Sequence, residues 1–199
     1  MNRLHLHSQT ILPRDLLHQL NSPNIMALPK LQKIILTTSL QIDSNQGILS
    51  SSGKAFKNSP SKSLSGYLAV ELISGQKFKK TRARQFISGF QLRKGELVGC
   101  QGTLRDFMLF SFLDKILLAI LPKIREFSGL PFPDQKIWSP QVSFGLKNFL
   151  LFPECENHYE VFEALEGFQI TFMTSAKSSQ ETLLLLSGYQ IPFEQINPS

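Results

Sequence analysis

Cysteine is nearly absent from this sequence: Cys100 and Cys155 are the only two. Two are too few for a disulfide framework, and their spacing is not that of a metal site, so a reducing or redox-neutral compartment fits best. Long apolar runs are missing as well. The most apolar stretch, "FMLFSFLDKILLAIL", is broken by Asp114 and Lys115 and is too short to cross a bilayer, so no membrane partner is expected. No secretory signal opens the chain, and "MNRLHLHSQTILPRDLLHQL" is poor in arginine for a mitochondrial presequence. "SSSGKAF" is no phosphate-binding loop, because Gly47 stands one position too far from Gly53-Lys54 and Ala55 replaces the hydroxyl that would hold magnesium. His5 and His7 have no further ligand near them in sequence, while His18 and His158 are isolated, so neither a metal nor a cofactor is implied. No nucleophile–base arrangement stands out. An enzyme is not expected, nor a small-molecule substrate.

Acidic residues are what the first half lacks. From Met1 to Arg105 there are 15 Lys or Arg against 4 Asp or Glu, whereas Asp106 to Ser199 holds 6 against 11. The whole chain of 199 residues carries a net charge of +6 with a pI of about 9.4. That polarity predicts one surface for a polyanion and another for a basic protein. Five carboxylates, Glu154, Glu156, Glu160, Glu163 and Glu166, belong to the acidic half. As residues alone they fit a solvated face, a docking surface for a basic partner, or an acid–base pair.

What is there in abundance is positive charge in one place. Between Lys77 and Lys94 the chain carries seven Lys or Arg and no Asp or Glu, with Phe78, Phe86 and Phe90 threaded through the run. Lys and Arg neutralise phosphates, rings stack on bases that leave a helix, and glycines such as Gly89 and Gly99 allow close backbone approach. The combination predicts RNA binding. The competing reading is a charged hairpin whose rings are simply buried.

The remaining patterns give an organisation. Residues 10–21 are predicted as a short amphipathic helix with Leu16, Leu17 and Leu20 on one side, and "KLQKIILTTSL" as a first strand. The Ser-rich stretch at about 42–63 reads as a loop insertion. "GYLAVELISGQ" is a helix ended by Gly75, and two strands follow in the basic region. In "ELVGCQGTLR", Val98, Cys100 and Leu104 share one face, while Leu97, Gln101, Thr103 and Arg105 share the other. A strand with one polar face suits an antiparallel sheet. Asp106 is the expected N-cap of a long helix with a Phe110, Leu113, Leu117, Leu121 stripe. Strands follow around Val142, Phe144 and Leu146 and around Phe168, Ile170 and Phe172, and a last helix opens on Ser178 and Glu181 at capping-box spacing. The fold class is α+β: one domain over residues 1–199, with helices on one face of a twisted antiparallel sheet.

These residues also resemble a known family. "SGQKFKKTRARQFISGFQLRKGELVGCQGTLR" is similar to the signature of the universal large-subunit ribosomal protein five, with its S-G-Q-K-P, A-G-F and G-C-K-V-T-L-R-G elements. "FLDKILLAILPKIREFSGL", "FLLFPE", "GFQITFMTSAKSSQE" and "NIMALPKLQKIIL" resemble further blocks of that family in the same order. The resemblance covers nearly the whole chain. It implies a structural protein of the central protuberance that binds 5S rRNA and neighbouring large-subunit rRNA. It further implies a hairpin toward the elbow of P-site tRNA, contacts with other proteins of the protuberance, and a bridge to small-subunit ribosomal protein thirteen.

Carried over by position, the resemblance implies RNA contacts at Gln76, Phe90, Thr103 and Arg105, and at Thr37, where the family usually has an amide. Lys77, Lys79, Lys80, Arg82, Arg84, Arg93 and Lys94 fall in or beside the loop that approaches RNA. The bridge would use the loop holding Phe132, Asp134 and Trp138, with Glu154 and Glu156. Departures are evident: Gln101 replaces a lysine, Asp106 a glycine and Phe78 a proline. "ETLLLLSGYQ" and "LHLH" look most like forms made inside plant and algal mitochondria, and the first helix aligns with the family's own. A mitochondrial ribosome in the matrix, with no cleaved presequence, is therefore the expectation, with a plastid or bacterial ribosome as the alternative. A non-ribosomal RNA-binding or interaction module reusing the fold is the alternative in function.

Overall fold

Alternation of buried and exposed side chains marks most strands of this chain, the short basic one excepted. A computed structural model describes residues 2–22, 24–39, 62–90, 92–125, 127–130, 140–163, 165 and 167–194. The strands are β1 (Leu31–Ser39), β2 (Lys79–Arg82), β3 (Leu97–Leu104), β4 (Gln141–Leu146) and β5 (Phe168–Thr174). They form a five-stranded antiparallel sheet in the order β2-β3-β1-β5-β4. Among the described residues there are seven α-helices: α1 (Arg3–Thr10), α2 (Leu12–Leu20), α3 (Lys62–Ser74), α4 (Asp106–Lys115), α5 (Pro153–Glu156), α6 (Tyr159–Phe162) and α7 (Ser179–Gly188). The α+β class and the antiparallel sheet agree with the sequence expectation. No helix among the described residues is long and apolar enough to cross a membrane.

The Cα positions divide the chain into two compact units. The first comprises Met1–Ile35, Thr103–Phe144 and Ile170–Ser199. Here the expected helix over residues 10–21 forms as α2, and a further helix, α1, precedes it. The Asn2 side chain caps α1 by accepting from the Leu4 N–H, and Pro13 sits in the first turn of α2, where a missing N–H costs nothing. Leu12 and Leu16 are buried, and Leu17 and Leu20 are half-buried. α1 packs on α4, and α2 packs on α7.

Asp106 is not the N-cap of α4. Arg105 occupies that position with extended backbone and no capping side chain, and Asp106 takes φ +48°. Left-handed backbone is tolerated by a short polar side chain and suits glycine better. The apolar stripe is also wider than predicted. Leu109, Phe112, Ile116 and Ile120 are buried with Phe110, Leu113 and Leu121, whereas Leu117 is only half-buried. Leu109 and Phe112 widen the stripe within α4 itself, and a π-helical stretch from Ile116 to Ile120 then shifts the helical phase ahead of Pro122. At α7 the capping box forms with a variation: Ser178 accepts from the Glu181 N–H, and the Glu181 carboxylate reaches back to the Lys177 N–H, at 3.2 and 2.8 Å.

The second unit comprises Leu36–Gly102 and Gly145–Gln169. Its core holds Ala69, Val70 and Ile73 of α3 and a ring cluster in which Phe168 lies 4.7 Å from Phe149 and 5.5 Å from Phe152, centroid to centroid. Such rings contribute chiefly by the apolar area they remove from water, about 1.5–3 kcal/mol for each fully buried side chain. α3 packs on both α5 and α6. Of the Ser-rich stretch at about 42–63, only Lys62 and Ser63 fall within the described residues, and they open α3 rather than close a loop.

Candidate nucleic-acid interface

The basic run folds as an arm of the second unit. β2 pairs antiparallel with β3, placing Lys79 opposite Gln101, Lys80 opposite Cys100, Thr81 opposite Gly99 and Arg82 opposite Leu97, with a bulge between Thr81 and Arg82. A bulge bends the strand and increases its twist. Beyond it, Ala83 exchanges backbone hydrogen bonds with Glu96 and Gly95, both at 2.9 Å. Further out, Ile87 and Leu92 donate to each other's carbonyls at 3.1 and 3.2 Å, closing the tip around a 3-10 turn, Ser88–Phe90. The arm is thus held by its own backbone ladder.

Two glycines fix its base. A Cβ on Gly102 would fall inside the ring of Phe78, and one on Gly99 would collide with the carbonyl oxygen of Thr38. The close approach that Gly99 permits is therefore to its own sheet, not to an outside partner. Phe78 is likewise a core ring at 6% exposure, as the buried-ring reading of the basic run had it. Phe86 behaves oppositely, at 66% exposure. The side chain of Phe90 lies outside what the structure describes.

The charged residues all face solvent. Lys77, Lys79, Lys80, Arg82, Arg84, Arg93 and Lys94 are exposed, and among the described residues none of them forms an ion pair. Arg82 bends back to donate to the Gly95 carbonyl at 3.2 Å, and the Lys80 ammonium sits 4.7 Å from the centre of the Tyr67 ring. Tyr67 donates to the Phe78 carbonyl at 3.2 Å, which ties that platform to the core. Its hydroxyl pKa is raised, chiefly by a hydrogen bond with Glu71. Glu96, the lone carboxylate of the arm, is half-buried and accepts from the exposed Arg93 N–H at 2.8 Å. The result is a surface of exposed cations, none paired with a carboxylate among the described residues, where each phosphate contact adds affinity and salt dependence.

Other anticipated residues are more dispersed. Gln76 is half-buried just after α3, and its backbone is bound by the Ser74 hydroxyl. Thr37 is exposed on β1. Along β3, exposed Gln101 and Thr103 alternate with buried Gly102 and Leu104, as the sequence pattern predicted. Thr103 and Arg105 belong to the first unit, and both are exposed. Glu154 and Glu156 flank the buried Cys155 on α5, the first half-buried and the second exposed. Phe132, Asp134 and Trp138 lie outside the described residues. No group of His, Cys, Asp or Glu able to hold a metal ion occurs among the described residues. Phe86, a ring of the basic run that is not in the contact set expected from sequence, is exposed between Arg84 and the arm's tip.

The C-terminal half matches the family model that describes the C-terminus of the ribosomal L5 family, over residues 97–193. Large ribosomal subunit protein uL5m of Reclinomonas americana is 36% identical over 195 residues, which spans 98% of this chain and 100% of the relative. The chain belongs to the ribosomal L5 family. Large ribosomal subunit protein uL5 of Buchnera aphidicola subsp. Cinara cedri is 34% identical, covering 98% of this chain and 100% of the relative. That of Mycoplasma pneumoniae is 33% identical, covering 96% and 98%. As a member of the L5 family, the chain is a structural constituent of the large ribosomal subunit and not an enzyme. Its surroundings are rRNA and other ribosomal proteins.

Proposed function

We propose that this protein binds 5S rRNA and adjoining large-subunit rRNA in the central protuberance, and that its basic arm reaches P-site tRNA. The observation that carries the reading is the arm itself. Seven exposed cations stand on a backbone-braced hairpin that carries a single carboxylate, Glu96, an arrangement that in a ribosomal protein has RNA phosphates as its natural partner. Lys77, Lys79, Lys80, Arg82, Arg84, Arg93 and Lys94 hold phosphates. Gln76, Thr37, Phe90, Thr103 and Arg105 supply contacts at or near 5S rRNA. Glu154 and Glu156, with the loop of Phe132, Asp134 and Trp138, form the bridge to small-subunit ribosomal protein thirteen. The compartment is the mitochondrial matrix, a reading supported by the similarity to uL5m.

The test is cross-linking of the tagged protein inside purified mitochondrial ribosomes, reading every RNA position joined to it. Cross-links to 5S rRNA from the sheet residues and to P-site tRNA from the arm are the expected result. Cross-links to other large-subunit rRNA alone would remove the 5S rRNA and tRNA assignments and leave the ribosomal one.

A further inference from the structure

The structure assigns Phe86 a role of its own: we propose that its ring is a stacking platform for an unpaired RNA base, resting on the reading of the arm as an RNA contact. Of the two rings of the basic run whose side chains are described, Phe78 is buried under β3 and contributes to the fold, whereas Phe86 is 66% exposed beside Ile87 at 45%. The paired backbone bonds of Ala83 with Gly95 and Glu96, and of Ile87 with Leu92, hold the arm on both sides of Phe86. The ring is therefore presented outward by an ordered frame, which lowers the entropy lost when something settles on it.

What settles there is specified by charge. Arg84 and, on the returning strand, Arg93 and Lys94 are exposed and form no ion pair among the described residues. Phosphates fit the cations, and the flat apolar ligand that accompanies a phosphate chain is a nucleobase. Every base has a π-face, so one ring serves any sequence, provided the base is out of its helix. An anionic membrane surface would also attract cations and a ring; it enters as an outcome of the test.

The full-length protein is titrated with a 5S rRNA transcript and, separately, with a tRNA transcript at several salt concentrations. Phe86→Ala is expected to weaken binding to at least one of them by about 5- to 150-fold, the range for loss of one base–aromatic stack, while the salt slope stays that of the parent. Phe86→Leu should be nearly as weak, and Phe86→Trp should bind as the parent or tighter. Arg84→Glu serves as the control for the arm. If it weakens both affinity and slope while Phe86→Ala binds both RNAs within about twofold, stacking is overturned and the arm stands. Should neither variant alter binding, the arm reading falls, and this one with it. Full affinity for Phe86→Leu would reduce the ring to apolar packing. Sedimentation with anionic phospholipid vesicles that is lost in Phe86→Ala, with RNA affinity unchanged, would move the site to a membrane and overturn the proposal. Unchanged thermal melting confirms that the variants fold.

Discussion

The ring of Phe78 occupies the space that a Cβ on Gly102 would need. This contact packs the residue just before β2 against β3, the strand that pairs with β2. It also makes Phe78 a structural residue in the middle of a run that otherwise serves the surface. Gly102→Ala should therefore destabilise the protein by about 1–3 kcal/mol, the usual cost of overpacking. Combining it with Phe78→Leu, which frees room at the ring, should give a loss smaller than the sum of the two single losses. Urea unfolding of the four proteins checks this; strict additivity would mean that the two residues do not share one volume.

Reversing charge at Arg82 and Arg84 tests the arm. The double variant Arg82→Glu/Arg84→Glu should bind RNA more weakly than the parent. Its plot of log affinity against log salt should also be flatter by about 0.7–0.9 for each phosphate that is no longer neutralised. Because both side chains are exposed, stability should move by no more than about 0.5 kcal/mol. A preserved salt slope would take the two arginines out of the interface.

Thr103 is exposed on β3. Thr103→Val keeps the shape and the β-branched preference for a strand, but removes the hydroxyl. Affinity for a 5S rRNA transcript should fall by about 2- to 12-fold, the equivalent of one hydrogen bond, with an unaltered circular dichroism spectrum. Full affinity with an intact spectrum would exclude the Thr103 hydroxyl from the contact.

The two thiols give a pH dependence. Burial pushes both Cys100 and Cys155 up to about 11, because the thiolate is disfavoured away from water. At pH 8 both should resist a thiol reagent until the chain unfolds; reaction in the native state at the rate of a free thiol would contradict their burial. For a group whose folded pKa lies above its unfolded value, the folded state binds more protons between the two. Its contribution to stability is therefore full below the unfolded pKa and is lost as pH rises through the folded one. From pH 9 to 11, the Cys100→Ala/Cys155→Ala variant should lose less stability than the parent in parallel urea titrations.

Legibility in the sequence followed locality. The alternation in "ELVGCQGTLR" placed Gln101 and Thr103 outward correctly, because strand periodicity is a property of neighbouring residues. The Ser178–Glu181 cap was legible for the same reason. The start of α4 was not: Asp106 has a capping side chain, yet it was the backbone conformation at that point, φ +48°, that decided the cap. Nor could composition separate Phe78 from Phe86, since both sit among lysines and arginines in one short run.

By itself the sequence determined the α+β class, the antiparallel sheet, the place of the cationic run and the family, because each is written in period, charge and ordered motif. Tertiary structure alone decided which ring of that run enters the core. It also decided which glycine touches its own sheet, and where a π-helical stretch shifts the face of a helix. Those outcomes depend on volumes and backbone angles supplied by residues far apart in the chain. Phe78 is buried because Gly102 leaves room for it, and Phe86 is exposed on a frame built by its own backbone hydrogen bonds.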